Sequence, residues 1–81
     1  MGELLHAQKG SAVFLIEENE DGVFLFTYRS GRYTGDSWHP NVEEAKAQAA
    51  YNAGSVVGPW KSVSSDFKSE LDVKSKSVKA E

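Results

Sequence analysis

Short apolar runs separated by short polar breaks organise the first half of the chain. Residues 12–18, AVFLIEE, are β-branched, aromatic and aliphatic up to two glutamates, and the run is too short for a helix with defined ends. ENEDG then supplies turn chemistry, because Asn, Asp and Gly accept backbone angles that other residues resist. VFLFTYR at 23–29 predicts a second strand, SGR at 30–32 a second turn, and YTGDSW at 33–38 a third strand in which Gly35 marks a bulge. Breaks this short close most cheaply as antiparallel hairpins.

The period changes after His39. Pro40 keeps the preceding residue out of the helical region. Asn41 is a good N-cap, and Glu44 stands three residues later, where a capping box places a carboxylate. VEEAKAQAAYNA at 42–53 has high helix propensity, and Gly54 is a natural terminator. At about 100° per residue, Val42, Ala45, Ala49 and Ala53 share one arc, and Tyr51 lies on the opposite side. So small a face brings the helix close to a sheet whose aromatic residues fill the space.

SVVGPWKSV at 55–63 predicts a fourth strand, confined to an edge because Pro59 cannot donate to a ladder, with Trp60 closing one end of the core. Residues 1–11 read as a weakly ordered N-terminal segment. Residues 64–81, rich in Ser, Lys and acids with only Phe67 and Leu71 as large apolar anchors, read as a largely disordered tail. The expected architecture is therefore α+β: a three-stranded antiparallel meander, one helix packed on it and a short fourth strand, βββαβ, over residues 12–63.

Strand alternation makes both faces of the hairpin apolar. Phe14 and Ile16 share one face of the first strand, and Val13 and Leu15 the other; in the second, Phe24, Phe26 and Tyr28 oppose Val23 and Leu25. One helix covers one face, and an antiparallel sheet with a wet face alternates polar residues there instead. Val13, Leu15, Val23 and Leu25 are the candidate interaction surface. Its cover is the N-terminal segment, the region of Phe67 and Leu71, or a second copy of the chain as a homodimer.

Composition narrows the functional classes. The 81 residues contain no cysteine, so neither a disulfide nor a thiolate is available. No apolar run approaches the ~20 residues of a membrane span, and the N-terminus lacks a signal-peptide pattern, so the chain reads as soluble and cytoplasmic. Nine basic and twelve acidic residues give a net charge of −3, which opposes phosphate binding overall. Tyr28, Arg29, Arg32 and Tyr33 around the second turn still form a candidate nucleic-acid contact, with aromatic rings for stacking and arginines for phosphate.

GDSWHPNVEEA, residues 35–45, concentrates residue types used in chemistry. Ser37, His39 and Asp36 suggest a hydrolytic triad, but neighbours in an extended chain do not converge, and no nucleophile elbow surrounds the serine. Asp36, His39 and Glu43, with His6, suggest a metal set, but no His-x-x-x-His pair or acidic calcium loop is present. Strand-end and capping roles explain the segment, so no catalytic residue, metal or cofactor is expected.

The run GDSWHPNVEEAKAQAAYNAG followed by VVGPWKSV resembles a group of short bacterial proteins that share Gly-Asp-Ser/Thr-Trp-His, then Glu-x-Ala-Lys-x-Gln-Ala, then a tryptophan. The resemblance spans residues 12–63 and implies no particular chemistry. Gly35-Asp36-Ser37 and Val42-Glu43-Glu44-Ala45 are similar, at the level of topology, to the strand-to-helix junction of HicB-type antitoxin partial domains. The acidic Pro-Gly segment expected before that junction is missing. The function expected is that of a small non-catalytic protein-interaction or accessory regulatory module, with nucleic-acid binding at the 28–33 turn as the alternative.

Overall fold

The computed structural model describes residues 4–79, at positions 65 and 74–79 by the backbone only. Its α+β architecture has more parts than the sequence predicts. Strands β1 (Leu4–Lys9), β2 (Ala12–Asn19), β3 (Gly22–Arg29) and β4 (Arg32–His39) form an antiparallel meander, followed by α1 (Val42–Ala53), a short β5 (Lys61–Ser62) and α2 (Ser65–Lys79). All five strands lie in one sheet, ordered β4-β3-β2-β1-β5.

Two-residue turns set the register. Lys9 pairs with Ala12, Asn19 with Gly22 and Arg29 with Arg32, so each hairpin closes tightly and successive strands stay in step. Pairing of Thr27 with Gly35 and of Tyr28 with Tyr33 leaves Thr34 as an extra residue on β4. This bulge reverses the alternation of the strand and brings Tyr33 to the same face as Asp36 and Trp38.

Helix α1 follows its sequence signals. The Asn41 side chain accepts the Glu44 backbone N–H at 2.9 Å, and Gly54 takes φ +82, a left-handed geometry that glycine adopts without steric cost. Ala45 and Ala49 are fully buried, and Val42 and Ala53 pack beside them. They meet Phe14, Ile16, Val23 and Leu25, and Trp60 closes the margin of this core.

A second core occupies the other face. Leu4, Leu15 and Tyr28 are buried there, and Val13, Phe26, Val63, Phe67 and Leu71 pack against them. Helix α2 enters beside β5 and reaches β4. At ~1.5 Å per residue its length is about 22 Å, enough to cross four strand spacings of ~4.8 Å. The face whose cover the sequence leaves open is thus roofed by the chain's own C-terminal segment.

Three expectations change. The region expected to be a weakly ordered N-terminus contributes β1, whose edge is stitched to β5 through Leu5–Ser62 and His6–Lys61 pairing; residues 1–3 lie outside the described part. The region expected to be a disordered tail carries α2, with residues 80–81 outside the described part. Its few apolar side chains suffice because they dock on a ready apolar sheet, which stabilises a helix more than composition does. The expected strand at 55–63 shrinks to Lys61–Ser62, consistent with the proline before it; the Gly58–Pro59 peptide is cis.

Candidate functional site

The four residues proposed as one interaction surface do not share a face. Leu15 lies opposite Phe26 and Val13 opposite Tyr28, on the α2 side, whereas Val23 and Leu25 belong to the α1 core with Phe14 and Ile16. Leu15, Val23 and Leu25 are buried, and Val13 is half-buried. Pairing the strands in register, and not by run position, produces this partition: the tight turn sets Val23 against Glu18 and Leu25 against Ile16.

The proposed nucleic-acid cluster is also divided. Arg29 and Arg32 are exposed partners at the foot of the third turn. Tyr28 is fully buried, and its hydroxyl donates to Asp72 at 2.6 Å, so its ring is unavailable for base stacking. Burial and the Asp72 carboxylate together hold the phenol of Tyr28 well above its ordinary pKa. Tyr33 is 44% exposed and sets its edge against Tyr28 with ring centroids 5.5 Å apart. Burial and a hydrogen bond to Asp36, with the charges of Asp36 and Asp72, raise the pKa of Tyr33 as well.

On the α1 side of β4, Ser37 and His39 meet: the serine hydroxyl and histidine Nε2 share a hydrogen bond of 2.8 Å. Asp36, opposite Phe26 and bonded to Tyr33, stands on the other face and does not complete a triad. Among the described residues no three His, Asp or Glu side chains are placed to hold a metal ion. Ser37 also borders an open cleft of about 410 Å³ between α1 and the β3–β4 pair, lined by Thr27, Arg29, Thr34, Gln48 and Asn52. Gln48 donates to Asn52 at 2.9 Å, and Thr34 to the Thr27 carbonyl at 3.0 Å, so much of its polar wall is internally satisfied.

The other face of the β3–β4 pair carries an aromatic row. Phe24 and Phe26 stack with centroids 6.3 Å apart, and Trp38 lies opposite Phe24 across the ladder. Phe26 packs against the α2 core, but Phe24 and Trp38 belong to neither core cluster. Trp38 remains 54% exposed yet is held at two points. Its indole N–H donates to the Asp21 carbonyl at 3.0 Å, and its ring lies over Gly22, where any Cβ would collide with it. Gly22 also has φ +134, which side chains of L-residues rarely adopt. A tight turn thus positions the tryptophan.

Around this row stand Glu17, opposite Phe24 on β2, and Asp36, opposite Phe26 on β4. Lys68 of α2 places its ammonium 4.4 Å from the Phe26 ring centroid while bonded to Asp72 at 3.1 Å. Strand-end patterning in the sequence does not reveal that Trp38 is held in place while exposed on this face. The signal was present in the alternation of Phe24, Phe26 and Tyr28, once paired with a bulged β4. No protein-family model, no curated protein and no solved structure matches the chain.

Proposed function

We propose that the protein is a small non-catalytic interaction module that binds a protein partner at the aromatic end of the β3–β4 face, around Phe24 and Trp38. The observation that carries this reading is the state of Trp38: more than half exposed, yet fixed by a hydrogen bond and by packing on a glycine. Large aromatic side chains held in place lose little entropy on binding, and they dominate interface energetics. β4 is also an edge strand, which gives a partner main chain a place to lie beside the same aromatic side chains.

The test compares proteins retained by the immobilised chain with those retained by Trp38→Ala and Tyr51→Ala. Tyr51 is 82% exposed on α1, away from this face, so it serves as an exposed aromatic control. Loss of a retained protein with Trp38→Ala alone, with circular dichroism unchanged, supports the reading. Retention indifferent to Trp38 removes it. Recovery of nucleic acid, weakened by salt and by Arg29→Ala with Arg32→Ala, would favour the alternative at the 28–33 turn.

A further inference from the structure

We infer that the partner segment received by this face is basic, with lysine or arginine side chains laid across Phe24 and Trp38. The inference rests on the reading of the β3–β4 face as an interaction surface and specifies the chemistry of its occupant. The first support is internal: the same aromatic row already takes a cation, because Lys68 sits 4.4 Å from the centre of the Phe26 ring, next to Phe24 in the stack. A ring face attracts a cation through its quadrupole, and tryptophan does so most strongly.

The second support is charge. Glu17 and Asp36 flank the half-buried Phe24 and the exposed Trp38, and Glu20 and Asp21 stand at the tip of the adjoining β2–β3 hairpin. Lys68, a cation on this face among the described side chains, is already committed to Asp72. Opposite potentials steer encounter and reject like-charged competitors, and the chain as a whole carries −3.

The third support is directional. The indole N–H of Trp38 is bonded to the Asp21 carbonyl, so the side chain does not offer it to an acceptor on a partner. It offers ring surface beside carboxylates. That combination accepts the aliphatic stem and charged head of a lysine or arginine together.

The experiment uses the full chain labelled with nitrogen-15 and four eight-residue peptides, alternating serine with lysine, arginine, glutamate or glycine. Amide shifts are followed during titration, and molar mass is measured by light scattering in the same samples. The expected result is saturable shifts at Glu17, Phe24, Asp36 and Trp38 with the lysine and arginine peptides. Affinity should fall about two- to fivefold with Trp38→Leu, the scale of an exposed cation–ring contact. Because Trp38 also packs on Gly22, Glu17→Gln with Asp36→Asn is the second variant, and it should weaken binding by a similar factor.

Equal or stronger binding of the glutamate or glycine peptide at these amides would overturn the basic partner while leaving the interaction face in place. Absence of shifts at these amides with both basic peptides would also overturn it, and the retention comparison with Trp38→Ala then decides the wider reading separately. A doubled molar mass without peptide, with concentration-dependent shifts at the same amides, would identify the occupant as a second copy and likewise overturn it.

Discussion

The Tyr28 hydroxyl donates to the Asp72 carboxylate at 2.6 Å, joining the buried C-terminal end of β3 to α2 across 44 positions of sequence. Tyr28→Phe keeps the packing of the ring and removes the bond. Asp72 retains Lys68 as a partner, so its charge is not stranded. The expected cost is about 1–2 kcal/mol, measured by chemical denaturation.

The same pair predicts a dependence on alkaline pH. The phenol of Tyr28 ionises at higher pH in the folded chain than the ordinary value of 10.0, because burial and Asp72 both oppose the phenolate. A raised folded pKa gives stability that is complete below about pH 10 and is lost as pH rises above it, since the unfolded chain releases the proton first. Melting temperature measured between pH 9 and 11.5 should therefore fall, and Tyr28→Phe should fall less steeply. Tyr33, raised in the same direction, accounts for part of the remaining slope.

Helix α2 is structural, and shortening the chain tests this. Ending it after Ser64 uncovers Leu15 and Tyr28, both fully buried, together with the half-buried Val13 and Phe26. The truncated chain should lose its cooperative melting transition or associate through that face, as read by calorimetry and light scattering. The milder Leu71→Ala should cost about 1–3 kcal/mol, less than a core leucine because Leu71 is half-buried. A truncated chain that melts like the intact one would show that the second face needs no roof.

The contrast between α1 and α2 shows what was legible in the sequence. The cap, the alanine face and the terminating glycine of α1 are local signals, and the structure uses each of them. The three middle strands were legible for the same reason, because alternation and tight turns act between near neighbours. Phe67 and Leu71 are one helical turn apart, but serines, lysines and acids surround them. Their value appears only when Leu4, Leu15 and Tyr28 supply a surface. β1 likewise depends on β2 and β5, one adjacent and one more than fifty residues away. The placement of Trp38 is not legible from strand pattern alone because its contacts are diagonal, to Asp21 and Gly22 across the hairpin. Its neighbour Ser37 does meet His39, a pairing that alternation of i and i+2 allows, while Asp36 is sent to the other face.

Acid should loosen the opposite end of α2. His6 packs its ring against Phe67 with centroids 4.6 Å apart. Burial, and secondarily the nearby Lys61 charge, hold its imidazole below the ordinary value of 6.5. A depressed folded pKa means that the unfolded chain takes up the proton first as pH falls. This contribution to stability is present above pH 6.5 and is lost as pH drops through the lower folded value. Melting temperature should decline from pH 7 toward pH 5, and His6→Phe, which keeps a ring against Phe67 but cannot titrate, should decline less. Identical slopes for the two proteins would remove His6 from the account.

Gly22→Ala separates the positioning of Trp38 from its chemistry. A Cβ at position 22 points into the indole, and φ +134 is strained for alanine even in open space. The ring must therefore swing away, breaking its bond to the Asp21 carbonyl. The expected destabilisation is about 1–3 kcal/mol, from backbone strain and overpacking together. In a Trp60→Phe background Trp38 is the sole tryptophan, so its emission reports the displacement directly. A red shift and faster collisional quenching by acrylamide are expected, with α1 and the sheet otherwise intact by circular dichroism. If partner binding requires the fixed indole, Gly22→Ala should weaken retention nearly as much as Trp38→Ala although every aromatic side chain is still present. Unchanged emission and unchanged retention would mean that the turn does not hold the ring, and the preorganised face would have to be abandoned.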